Sequence, residues 1–210
     1  MRLSLPRLFA AAPDAITAAI YLTAWIEPSI GGPETIKNLM LTMLIEFVVI
    51  HSSGFYAGIA ALDIGAYKRL LMLAGLGAFY MIFILAFARA FHSTWPIFAF
   101  GWLFVCRFFH LWLRPAQSQR EASGLMGLWV VSVITYIIGA MATTVLPLPA
   151  LGITPDFTAS MQMAGSGEWV QRPYTVLAFG MLYFAVQAFA KYKATPASAL
   201  RANAPKAVSA

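Results

Sequence analysis

Four ionisable side chains fall inside stretches otherwise suited to hydrocarbon: Glu46, His51, Arg107 and His110. A charge at the centre of a bilayer costs about 2.5–3.5 kcal/mol on insertion scales, so each should face the interior of a helix bundle and find a partner there. The residue types permit several chemistries. Glu46 and Arg107 can form an intramembrane ion pair, or line a substrate or proton path in a small transporter or channel. His51 and His110, at similar depth on different helices, are the minimum set for ligating a single b-type haem, with Arg107 or Arg114 near its propionates. The bland alternative is that these groups only fix helix register, as subunits of membrane complexes also require.

Helical spacing groups the candidates. Arg107, His110 and Arg114 stand at i, i+3 and i+7 and line one face. His51, Gly54, Phe55 and Gly58 share a face, and Gly54-xxx-Gly58 is a small-residue spacing that allows close helix approach. Glu46 and Ser53 share another, about 140° away. Tyr136, Gly139 and Thr143 form a third set, and Tyr183 and Gln187 a fourth at i, i+4. No HExxH, GxSxG, GxGxxG or P-loop pattern is present. No catalytic constellation or metal site is therefore expected, although Glu46 and His51 are both capable of acid–base work. At i, i+5 they diverge around the helix.

Long apolar helices must carry these groups. Of 210 residues, 60% are hydrophobic and 10% charged, too few charges to coat a soluble domain. Residues 70–88 and 122–155 hold no charged side chain, and each is long enough to cross a bilayer as a helix. The apolar runs are continuous rather than alternating, which favours helices over a β-barrel. The expected fold is an all-α integral membrane protein, a six-transmembrane-helix bundle over residues 1–192, with spans at about 12–28, 33–61, 69–91, 96–114, 124–146 and 173–192. Residues 193–210, rich in Ala and Pro, read as a disordered cytoplasmic tail.

Start and stop signals support these spans. Gly32-Pro33-Glu34 combines a cap, a proline at the first helical position and an acid at the positive end of the dipole. Thr94-Trp95-Pro96 opens span four, and Pro147 and Pro149 end span five. Residues Met1–Arg7 before an apolar run resemble a signal peptide, but Pro13 and Asp14 interrupt that run, and the segment reads as an uncleaved first span. In the longest loop, 148–172, Thr154-Pro155-Asp156 reads as a helix start, with Phe157, Met161 and Met163 placed to rest on the membrane surface.

The net charge of +6 does not point to nucleic acid, because the basic residues gather at span ends and in the tail. With the N-terminus inside, the cytoplasmic segments hold ten of the 14 Lys and Arg residues; the other face holds Lys37, Arg89 and Arg172, and Arg107 lies within span four. The positive-inside rule then puts both termini in the cytoplasm of a bacterial inner membrane. The lone Cys106 belongs to span four and builds no disulfide framework. The expected partners are the lipid bilayer and other membrane proteins. A small transporter or channel leads the functional readings, followed by an accessory subunit of a membrane complex and a b-haem redox subunit.

Overall fold

The computed structural model describes residues 5–113, 119–163 and 166–194; the side chains at 6, 60, 106–113 and 119–125 lie outside this description. Every regular element among the described residues is a helix. Six are long: α1 (Leu5–Ile26), α2 (Gly32–Ala61), α3 (Ala66–Ala90), α4 (Trp95–Leu113), α5 (Gln119–Val145) and, after two short ones, α8 (Pro173–Ala194). The short ones are α6 (Pro155–Ser160) and α7 (Glu168–Gln171). Five of the long helices are long and apolar enough to cross a bilayer, the arrangement of a multi-pass membrane protein. In α4 the described apolar portion is Trp95–Val105, shorter than a span. The 193–210 tail falls almost wholly outside the described residues.

The first helix begins seven residues earlier than the sequence suggests and runs straight through Pro13. That proline removes one backbone donor, yet α1 lies along α8 for most of its length, and such support lets membrane helices keep an internal proline. Thr17 also donates to the Pro13 carbonyl at 2.8 Å.

Helix α2 is the centre of the architecture because it is buried on two opposite sides. Ile36, Leu39, Met40, Met43 and Ile50 join one core with α1, α5 and α8. Leu41, Ile45 and Val48, half a turn away, join a second core with Tyr80 and Ile84 of α3 and Phe100 of α4. The protein is therefore two packed groups, α1–α5–α8 and α3–α4, meeting along one helix. Outward-facing Phe79 and Ile82 of α3 and Phe98 and Trp102 of α4 are exposed, as side chains in contact with lipid should be.

The 148–172 loop closes the end of the first group. Trp25 Nε1 donates to the Pro149 carbonyl at 3.0 Å, and the Gly152 amide donates to the Trp25 carbonyl at 3.1 Å. Thr154 caps α6 as its sequence suggests, its Oγ1 accepting from the Phe157 amide at 3.2 Å. Met161, however, does not rest on a membrane surface. At 1% exposure it is part of the α1–α5–α8 core, because residue 161 follows the end of α6 and turns inward with Ile153. At the loop's far end, the Tyr174 hydroxyl and the Glu168 carboxylate hold the Arg172 guanidinium above its ordinary range just before α8 starts.

Candidate functional site

Three tyrosines and one acid occupy the middle of the α1–α5–α8 group, where α2 meets it. Glu46 has 14 residues of α2 before it and 15 after it, and follows Leu39 and Met43 on the same face. Its Oε1 accepts from the Tyr183 hydroxyl of α8 at 2.7 Å. The hydroxyls of Tyr21 on α1 and Tyr136 on α5 lie within electrostatic reach of the same carboxylate. Each has its own acceptor on α2: Tyr21 donates to the Leu39 carbonyl at 2.7 Å and Tyr136 to the Met43 carbonyl at 2.8 Å. A hydrogen bond to a carboxylate contributes about 1.5–3 kcal/mol. That offsets most of the cost of holding the charge away from water.

Aromatic packing keeps this group rigid. Tyr136 meets Phe179 edge-on at 4.8 Å and Tyr183 at 5.7 Å, and Tyr183 meets Phe184 at 5.1 Å. Room for the rings comes from two glycines: Gly180 lies against the Tyr21 ring and Gly139 against Phe179.

Toward the end of the bundle where α1 begins and α8 ends, polar groups continue along one stripe of α8. Tyr183, Gln187 and Lys191 stand at i, i+4 and i+8. Ser132 of α5 is in hydrogen-bonding reach of the Tyr183 hydroxyl and donates to Gln187 Oε1 at 3.1 Å. Gln187 is 4% exposed, and its buried Nε2 donor has no acceptor among the described residues. One turn on, Lys191 Nζ meets Asp14 Oδ2 of α1 at 2.7 Å.

The sequence candidates separate in this frame. Glu46 is placed as expected at mid-helix, and α2 and α4 are neighbours through Phe100. Its Oε1 accepts from the α8 side of α2. Arg107 and His110 belong to α4, but their side chains lie outside the described residues, as does Arg114. The Glu46–Arg107 pair, the basic stripe and a His51–His110 haem site therefore have one placed side at most. The His51 ring packs 4.0 Å from the Phe47 ring, and its Nδ1 lies 3.1 Å from the Phe47 carbonyl of its own helix. Among the described residues no group of three or more His, Cys, Asp or Glu side chains is arranged to hold a metal ion.

Gly54 and Gly58 do not act as a pair. Gly54 admits the Trp129 ring of α5, whose Nε1 donates to the Ile50 carbonyl at 2.9 Å, while none of the described residues lies within 4 Å of a Cβ at Gly58. A ring rather than a backbone fills the gap. The Tyr136/Gly139/Thr143 and Tyr183/Gln187 faces are both buried. Sequence reasoning missed Tyr21, Ser132 and the Asp14–Lys191 pair. The signal for that pair was Asp14 itself, an acid inside an apolar run that needed a cation.

No protein-family profile, curated protein or solved structure matches the chain.

Proposed function

We propose that this chain is a small six-span transporter of a bacterial inner membrane, with both termini cytoplasmic, in which Glu46 takes up and releases a proton as solute crosses. The reading is carried by one observation: a carboxylate midway along the central helix is held by a tyrosine hydroxyl where α2, α5 and α8 meet. A carboxyl group is the cheapest means of making a site inside hydrocarbon respond to a proton gradient, and intramembrane acids are typical of proton relays in transporters. The division into two packed groups along α2 adds support, because alternating access needs one bundle to rock against another around a fixed site.

Sidedness is checked with single cysteines in a Cys106→Ala background. In intact cells a membrane-impermeant maleimide is expected to label Ser160→Cys, in the loop cap, and to reach Ser198→Cys only after lysis. The reverse pattern removes the orientation.

Transport itself is tested in proteoliposomes loaded with a pH-sensitive dye and challenged with a panel of small amines, amino acids and carboxylates. At least one solute should shift internal pH with the natural protein, and Glu46→Gln should slow that shift at least tenfold while leaving the elution profile in detergent unchanged. If no solute moves protons and a second membrane protein copurifies in fixed stoichiometry, the chain is an accessory subunit instead.

A further inference from the structure

Helix α2 starts at the 148–172 cap, where it packs against α6, and one side of it is polar from there to mid-bundle. Thr35, Asn38, Thr42 and Glu46 stand at i, i+3, i+7 and i+11, within an arc of about 80°. That arc belongs to neither buried side of the helix. It falls between Leu39 and Met43, which join the core with α1, α5 and α8, and Leu41 and Ile45, which join the core with α3 and α4. Asn38 is exposed, and Thr35, Thr42 and Glu46 are partly so.

Two helices flank this stripe and leave it partly open. From α4, Trp95 Nε1 donates to Asn38 Oδ1 at 3.1 Å. From α1, the Tyr21 hydroxyl reaches Thr42 as well as the Leu39 carbonyl. Since α1 packs along α8 and α4 packs on α3, the stripe floors a furrow between the two packed groups. The other unburied side of α2 has the opposite character: at the same depth it carries Leu44 and Phe47. Hydrocarbon suits that side. It does not suit the stripe. A threonine hydroxyl can be satisfied by its own helix, as Thr35 is by the Gly31 carbonyl at 2.6 Å and Thr42 by the Asn38 carbonyl at 2.8 Å. A carboxamide and a carboxyl group that stay partly uncovered are costly to leave against lipid.

We infer that this stripe floors a hydrated furrow, through which water and small polar solutes reach Glu46 from the cap side. The passage of solute rests on the transporter reading, whereas the furrow rests on the spacing and exposure of the four side chains. Asn38 and Trp95 form its mouth, Thr42 lies one turn deeper, and Glu46 is its foot, about 12 Å below Asn38 along the helix. The threonine oxygens, whose protons are committed to the backbone, present acceptors to water, and the Asn38 amide adds donors.

The test is thiol accessibility in open membrane fragments, with single cysteines in the Cys106→Ala background. The probes are two methanethiosulfonates of fixed charge, one cationic and one anionic, neither of which enters lipid. Because the thiolate is the reacting species, a cysteine facing hydrocarbon is protected even when nothing covers it. With the faster of the two probes, Thr35→Cys, Asn38→Cys and Thr42→Cys should each react at least tenfold faster than Leu44→Cys and Phe47→Cys. Thr42→Cys decides, since it is the deepest of the three and exchanges a hydroxyl for a thiol of similar size. If it reacts as slowly as Leu44→Cys, the stripe faces lipid and the furrow is overturned. Slow reaction joined with disulfide-linked dimers on oxidation also overturns it, making the stripe a contact between copies. Equal rates at all five positions would overturn it too, because water would then not distinguish one side of α2 from the other. The two readings fail separately: fast reaction at Thr42→Cys in a protein that moves no solute keeps the furrow and removes the transporter, and slow reaction in a protein whose transport needs Glu46 does the reverse.

Discussion

Gly180→Val should be among the most damaging single substitutions in the protein, destabilising it by about 3 kcal/mol, the upper end for overpacking a close-packed interior. Even a Cβ at position 180 would fall closer than 3.0 Å to the Tyr21 ring. That ring cannot give way. It is fully buried, its hydroxyl is tied to the Leu39 carbonyl at 2.7 Å, and Phe184 stacks on it at 5.6 Å. The contact also sits in the interface of α1 with α8, which unites the first and last of the described helices. Gly58→Val and Gly75→Val are the controls, since none of the described residues lies within 4 Å of either position and each should change stability by less than about 0.5 kcal/mol. Gly77→Val should fall between, because the Phe104 ring it meets on α4 is only half-buried and can turn. Unfolding in mixed micelles, titrated with a denaturing detergent and followed by tryptophan fluorescence, ranks the four. If Gly58 proved as sensitive as Gly180, the close approach of α1 and α8 would not be what the stability depends on.

That ranking could not have been read from the chain, whereas the helices could. Uninterrupted apolar runs with proline and glycine at their ends locate a helix because hydrocarbon leaves the backbone no other partner than itself. Pro33, Pro96 and Pro173 each stand within a residue of the helix starts they suggested. Pro13 misled, since a proline signals a break only where no neighbouring helix supports the backbone, and α8 supplies that support. Neighbour relations are the part periodicity cannot supply. It showed that Tyr183 and Gln187 share a face and that Glu46 lies on another face of α2 from His51. It could not say that these faces turn toward each other, because α2 and α8 are separated by more than a hundred residues. Glu46 was therefore matched with the nearest obvious cation, Arg107, although its carboxylate also accepts from a phenol, a group that looks in sequence like any other buried aromatic. Ser132 was invisible for the same reason: a lone serine in an apolar run commonly bonds its own helix, and Ser132 does so with Leu128 at 3.0 Å.

Tyr21→Ala is expected to cost about 3–5 kcal/mol, the range for removing a large aromatic ring from a packed interior. Tyr21→Phe should cost only about 0.6 kcal/mol, the average for a hydrogen bond between membrane-embedded groups. The reason is the acceptor. The Leu39 carbonyl already receives the Met43 amide within α2, so losing the hydroxyl leaves no buried oxygen without a donor. The ring has no such substitute. Its absence strips contacts from Phe184 and Gly180 and leaves a hole that two helices cannot both close. Gly180→Leu should refill part of that hole, so the double variant should be more stable than the sum of the two single changes predicts. Tyr183→Phe should differ from Tyr21→Phe, although both remove one hydroxyl from a buried ring. Tyr183 donates to a carboxylate, and weakening that support should cost about 1.5–3 kcal/mol. The same detergent titration separates the cases. Equal costs for Tyr21→Phe and Tyr21→Ala would show that the phenol oxygen, not the ring, holds α1 in place. Equal costs for Tyr21→Phe and Tyr183→Phe would mean that Glu46 draws no particular benefit from Tyr183, and the carboxylate would need another explanation for its place in the middle of the bundle.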